Sequence, residues 1–179
     1  DGEEMQAYLG IPYAQADRFK VPESLPTRSE KFSADQFGDA CPQTTFQSPF
    51  AIQTTNPDIK ISEDCLNLNI YAPADGEDHP VMVWLHGGGL DTGAGPQSGA
   101  NPDRLVEEGI VVVTVNYRLG LLGYLAHEAL TETSASDAPG SGNYGLMDQI
   151  KALEWLQDNI SNFGGDSDNV TVFGESAGG

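Results

Sequence analysis

Four stretches of the chain are apolar enough, and short enough, to read as strands: Leu66–Tyr71, Val81–His86, Ile110–Tyr117 and Asn169–Phe173. Each is rich in Val, Ile or aromatic residues and ends on turn-forming residues. The run Ile110–Val115 is apolar at every position but Thr114, as expected of a strand covered on both faces. Between the third and fourth strands the period changes. Leu146, Ile150, Leu153, Leu156 and Ile160 recur at helical spacing with Trp155 beside them, which predicts a helix over 146–162 with that stripe turned inward. Strand, helix and strand with glycine-rich strand exits reads as an α/β arrangement. Residues 131–142 are small and polar and are expected to be a solvated loop. The chain carries no repeat and no domain linker, so 1–179 is expected to belong to one domain. The stretch 169–179 reads as a strand running into the start of a helix, and the sequence is therefore expected to be part of a longer domain.

Charge narrows the function. There are 27 acidic residues against 8 basic ones, a net charge of −19. Nucleic acids and anionic membranes need Lys and Arg to neutralise phosphate, so neither is an expected partner. The longest apolar run is far short of the ~18–20 residues of a membrane span. Two cysteines, Cys41 and Cys65, enclose a polar stretch with few core-forming residues. They either remain as buried thiols or pair. Pairing would restrain the unfolded chain by roughly 3 kcal/mol and would suggest an oxidising compartment. Secreted, periplasmic and cytoplasmic settings all stay open.

The chemistry concentrates in glycine, which accounts for 21 of 179 residues against a usual ~7%. Gly174-Glu175-Ser176-Ala177-Gly178 is a G-x-S-x-G pentapeptide directly after a predicted strand, where a nucleophile elbow must sit. Its flanking glycines are needed because side chains there would strike the neighbouring strand and helix. A plain Gly/Ser turn is the alternative. His86-Gly87-Gly88-Gly89 ends another strand. Such a loop can turn backbone N–H groups toward a substrate without a Cβ in the way, and an oxyanion held by such donors is stabilised by ~3–4 kcal/mol. A mere tight loop is the competing reading here.

Two features are set aside. Gly140-Ser141-Gly142-Asn143-Tyr144-Gly145 fits a dinucleotide fingerprint, but it follows no strand, as that motif requires. His79, His86 and His127 are too scattered for a metal site; His86 belongs to the glycine loop, and His79 and His127 are expected at the surface.

Taken together, Gly10–Ala14, Arg18-Phe19, Ser62–Asn69, Trp84–Gly89, Asn116–Gly120, Gly142–Asn162 and Phe163–Gly179 resemble the type-B carboxylesterase and cholinesterase family of α/β-hydrolases, most closely its bacterial para-nitrobenzyl-esterase-type members. The resemblance covers the family's N-terminal third, and the small N-terminal sheet that precedes Gly10 in the family is expected to be missing. It implies an α/β-hydrolase fold with a mostly parallel sheet and a serine carboxylic-ester hydrolase without metal or cofactor. Ser176 would be the nucleophile, with Gly88, Gly89 and Ala177 donating to the oxyanion. A Cys41–Cys65 disulfide and the ion pairs Arg118–Asp148 and Arg18–Glu63 are implied too. With so few basic residues, a buried, partnered arginine is also expected on physical grounds.

In these hydrolases the order is Ser, then Asp or Glu, then His, so the acid and base would follow Gly179. The chain alone is then expected to be nearly inert. A catalytically silent adhesion or interaction protein of the same family is the rival reading, and a non-functional fragment is a third. Cholinesterases carry a tryptophan before the Asn-Pro pair of the loop between the cysteines. Here Thr55 holds that place, with Phe46 and Phe50 earlier in the loop. A lost cation–π contact is worth up to ~2 kcal/mol or more, so neutral esters are expected substrates and choline esters are not.

Overall fold

The computed structural model describes residues 5–27, 29–43, 59–96, 102–132 and 140–179. The chain enters through β1 (Met5–Pro12) and a separate antiparallel pair, β2 (Ala14–Gln15) and β3 (Glu23–Ser24). It continues through β4 (Asn67–Pro73), β5 (His79–Leu85), β6 (Val111–Val115) and β7 (Gly165–Gly174). The described helices are α1 (Pro102–Glu107), α2 (Gly120–Tyr124), α3 (Glu128–Glu132) and α4 (Tyr144–Asn159). None of them is long and apolar enough to cross a membrane.

The main sheet has the order β1-β4-β6-β5-β7. It is mixed: β4 runs antiparallel to both β1 and β6, whereas β5 runs parallel to β6 and β7. Parallel neighbours need long crossovers, and α1 lies in the connection from β5 to β6, α2, α3 and α4 in that from β6 to β7. All of β4 and β6 is buried. Alternate residues of β6 serve opposite faces, as a pleated strand demands. Val111, Val113 and Val115 join the larger core with Leu68, Ile70, Val81, Val83 and, from α4, Ala152 and Leu156. Val112 instead packs with Tyr71 and with Val106 of α1.

One strand went unread in the sequence, and one reading needs correction. Met5–Pro12 pairs with β4 along the edge of the main sheet. Its register shifts between Tyr8 and Ile11, and Gly10, at φ 65°, donates its N–H to Asn69 Oδ1 at 2.9 Å. Asn69 in turn donates to Thr114 Oγ1 at 3.0 Å, so a buried asparagine closes the bulge.

The apolar stripe expected of the 146–162 helix faces inward only in its second half, where Leu156 and Ile160 are buried and Leu153 and Trp155 pack against the core. Leu146 and Ile150 are 49% and 50% exposed, while Tyr144, Gly145, Asp148, Ala152 and Leu156 are buried. The inward face contains a glycine, an alanine and an aspartate, which a hydrophobic pattern does not register. The helix begins at Tyr144 and ends at Asn159, where a 3-10 turn, Ile160–Phe163, takes over and buries Ile160.

Candidate active site

The parallel register of β5 and β7 decides the geometry of the site. Leu85 pairs with Gly174, so the loop leaving β5 and the pentapeptide leaving β7 emerge side by side at the same end of the sheet. Glu175 is still extended, with φ −128° and ψ 140°, and Ser176 then turns to φ 55° and starts a 3-10 turn, Ser176–Gly178. A non-glycine residue there is held against a steric cost of ~1–2 kcal/mol, the strained backbone expected at the corner of a nucleophile elbow. The turn leaves Ser176 exposed and Ala177 half-buried. A Cβ on Gly174 would sit 2.1 Å from the Gly178 carbonyl oxygen, and one on Gly178 would sit 2.0 Å from that of Leu85. Only hydrogen fits at either flank.

The glycine loop lies directly against this corner. A Cβ on Gly87 would come within 2.5 Å of Glu175 Oε2 and 3.2 Å of Ser176 Cβ. Gly88 and Gly89 both adopt positive φ, 112° and 64°. The Gly88 carbonyl accepts the N–H groups of Asp91 and Thr92 at 3.2 and 3.1 Å and the Thr92 hydroxyl at 3.2 Å. That closes the loop on its carbonyl side.

His86 braces the loop from behind. The ring is buried, stacked on Tyr117 at 4.4 Å and 12°, and the Tyr117 hydroxyl donates to the His86 carbonyl. Burial pulls the imidazole pKa down to about 4, so the ring is neutral at neutral pH. Its Nδ1 lies 2.8 Å from the Gly87 carbonyl oxygen, which only an N–H can satisfy, and Nε2 is buried without a hydrogen-bond partner among the described residues. The 87–88 peptide is trans. With its C=O turned to His86, the Gly88 N–H points the other way.

Sequence reasoning missed one clamp on this loop. The Gln43 side chain donates to the Gly93 carbonyl at 2.9 Å and accepts the Gly93 N–H at 3.0 Å. Nothing in a hydrophobic or catalytic pattern marks a glutamine two residues after a cysteine.

The remaining residues singled out in the sequence are structural. Cys41 and Cys65 form a buried disulfide with Cα atoms 5.0 Å apart. Arg118 binds Asp148 through Nε at 2.8 Å and Nη2 at 2.7 Å, and its own backbone N–H reaches the same carboxylate at 3.0 Å. Burial pushes the Asp148 carboxyl up, against the pull of those three hydrogen bonds. Arg118 Nη1 also donates to the Lys20 carbonyl at 2.8 Å, tying the N-terminal segment to α4. Arg18 and Glu63 pair on the surface through two hydrogen bonds, which hold the Glu63 carboxyl below its ordinary value. His127 is exposed, but His79, expected at the surface, is half-buried with its ring nitrogens 2.9 Å from the carbonyls of Gly109 and Asp75. The segment Gly140–Gly145 leads into α4, and the nearest described element before it is α3. Among the described residues no cluster of His, Cys, Asp or Glu side chains could hold a metal ion. Thr55, Phe46 and Phe50 lie outside the described residues, as do residues 133–139 of the expected polar loop.

The whole chain, residues 1–179, matches the model of the carboxylesterase family. It is 44% identical to the para-nitrobenzyl esterase of Bacillus subtilis (strain 168) over 178 residues, covering 96% of this chain and 35% of that protein. Rabbit (Oryctolagus cuniculus) cocaine esterase is 40% identical over 185 residues, covering 98% of this chain and 33% of the relative. Among solved structures, a thermophilic PNB esterase superposes with a TM-score of 0.84 at 41% identity, over 97% of this chain and 35% of its own. The chain thus spans about a third of the length of the curated relatives it matches. The fold is that of the α/β-hydrolases, and the chain belongs to the carboxylesterase family.

Proposed function

We propose that residues 1–179 are the N-terminal portion of a single α/β-hydrolase domain that cleaves small carboxylic esters through an acyl-enzyme on Ser176. The observation that carries this reading is the left-handed Ser176 at the exit of β7, with Gly87 packed against its Cβ. In the proposed reaction Ser176 Oγ attacks the ester carbonyl, and a histidine takes its proton and passes it to the leaving alcohol. The N–H groups of Gly88, Gly89 and Ala177 hold the tetrahedral oxyanion, and water then releases the acid.

His86 is not that base. Its Nδ1–H is committed to the Gly87 carbonyl and its ring is buried. The reading therefore assigns the triad's acid and histidine to chain outside residues 1–179, in keeping with the greater length of the relatives. On its own the chain would hold a serine without an activating base, and it should be nearly inert. With Thr55 where cholinesterases carry their tryptophan, uncharged esters are the proposed substrates.

The test is Ser176→Ala in the full-length protein, assayed on 4-nitrophenyl acetate and labelled with a fluorophosphonate. Activity should fall by at least roughly 10³-fold, and the wild type should carry one phosphonate adduct on the Ser176 peptide. Unimpaired hydrolysis by Ser176→Ala would remove the nucleophile assignment. Neither turnover nor adduct in the wild type would favour a catalytically silent interaction protein instead, a reading that leaves an intact elbow and glycine loop without a use.

A further inference from the structure

We propose that Gln43 is a positioning residue for the oxyanion hole, acting on the glycine loop from the disulfide side; the inference rests on the esterase reading above. Gln43 stands two residues after Cys41, whose disulfide to Cys65 fixes it next to the start of β4. Its amide is fully used. Nε2 donates to the carbonyls of Cys41 at 3.2 Å and Gly93 at 2.9 Å, and Oε1 accepts the Gly93 N–H at 3.0 Å. A glutamine that both gives to and takes from one residue's backbone fixes the position and the orientation of that residue.

Gly93 is the back wall of the His86 ring. At φ 124°, a Cβ there would sit 2.1 Å from His86 Nδ1 and 2.6 Å from the Gly87 carbonyl oxygen. The backbone of Gly93 therefore packs against the atoms of the His86–Gly87 hydrogen bond, while Tyr117 stacks on the ring. That bond turns the 87–88 peptide so that its N–H faces away from His86, and this N–H belongs to Gly88, a proposed oxyanion donor. The order of support runs from the disulfide to Gln43, to Gly93, to His86, and so to the Gly88 donor. Gln43 touches neither nucleophile nor substrate in this scheme. It sets the direction of a donor whose value in the transition state depends on aim.

The experiment compares Gln43→Ala and the near-isosteric Gln43→Glu with wild type in the full-length enzyme. Glutamate keeps the acceptor for the Gly93 N–H but sets a carboxylate against the Gly93 carbonyl, so it breaks the clamp without a change in volume. The readouts are kcat and KM on 4-nitrophenyl acetate and the Ki of a trifluoromethyl ketone, whose hemiketal oxygen occupies the oxyanion hole. We expect kcat to fall roughly 10–100-fold, short of the ~10²–10³-fold for deleting a donor outright. KM should stay within about twofold, and ketone affinity should weaken by the same factor as kcat/KM. A merely structural glutamine would lower the melting midpoint and leave the ketone Ki alone. The proposal is overturned if either folded variant keeps wild-type kcat and Ki, or loses kcat with ketone affinity intact. Absence of hydrolysis by the wild type would overturn the esterase reading itself, and this inference with it.

Discussion

Adding one methyl group at Gly178 and at Gly89 poses two different physical problems. At Gly178 the obstacle is space, since a Cβ would lie 2.0 Å from the Leu85 carbonyl oxygen and 2.9 Å from that of His86. Those are backbone atoms of β5 and its exit, so they cannot step aside without pulling the sheet. At Gly89 nothing among the described residues lies within 4 Å, and the difficulty there is the φ of 64°. Gly178→Ala in the full-length protein should therefore cost about 3 kcal/mol or more, at the top of the overpacking range. Gly89→Ala should cost about 1–2 kcal/mol, the penalty of a left-handed alanine. Equal losses in equilibrium denaturation would contradict this account of the elbow.

His86 ties the stability of the fold to pH. The unfolded chain protonates it near ~6.5, whereas the buried native ring resists until about 4. Its contribution to stability is whole above the unfolded pKa and is lost as pH falls towards the folded one, by roughly 3 kcal/mol in all. The stability gap between wild type and His86→Asn should accordingly narrow between pH 7 and pH 4.5, values that bracket most of that window. An unchanged gap at both pH values would mean that the native ring takes up its proton as readily as the unfolded one.

Among the elements, α4 is where sequence and structure part most clearly, and the reason is chemical. Its inward face is built on Tyr144, Asp148, Ala152 and Leu156, four residues apart, and the aspartate at its centre is buried completely. Hydrophobic periodicity chooses the neighbouring face, Leu146 and Ile150, because it scores Asp148 as outward. What keeps Asp148 inside is Arg118, thirty positions earlier, and a pairing at that separation leaves no periodic trace. Asp148→Asn would leave the guanidinium buried beside a neutral amide and should destabilise the fold by about 3–5 kcal/mol, as read by denaturant midpoint. Arg18→Ala, which breaks a solvent-exposed pair, should leave the midpoint where it is.

The strands were more legible, since β5, β6 and the end of β7 advertise themselves by Val, Ile and aromatic content. β1 carries its own signal, with Met5, Ala7, Leu9 and Ile11 at every second position, obscured by the glycine and proline near its end. The serine corner and the glycine loop are legible because their backbone geometry demands glycine at fixed offsets. The supports behind them are not. Gln43, Gly93 and Tyr117 act through backbone hydrogen bonds and ring stacking, which almost any local sequence could offer and only the fold brings together. Among the described strands β7 is a sheet edge, with Val172 exposed. An open apolar edge invites pairing, and the proposed remainder of the domain is its natural cover.

For the molecule as a whole, charge is the property that no single contact explains. A net −19 over 179 residues sets like charges against each other across the surface and penalises the compact state. Only 8 basic residues face 27 acidic ones, and three of them are committed already: Arg118 is buried against Asp148, and Arg18 and Lys151 are paired with Glu63 and Glu154. Added salt shortens the Debye length from about 10 Å at 0.1 M to about 3 Å at 1 M, which screens repulsion between exposed carboxylates far more than a buried pair. The two effects do not cancel, because the attraction that matters most here is the shielded one. The melting midpoint of the full-length protein should therefore rise between roughly 0.05 M and roughly 1 M sodium chloride, by less for each kcal/mol of repulsion relieved than the roughly 2–4 °C of a 150–250-residue domain, since the relatives are about three times as long as this chain. Chloride is the salt to use, since sulfate strengthens apolar burial in any protein. A midpoint that stays level across that range would mean that the acidic surface is already spread widely enough to leave the fold indifferent to it.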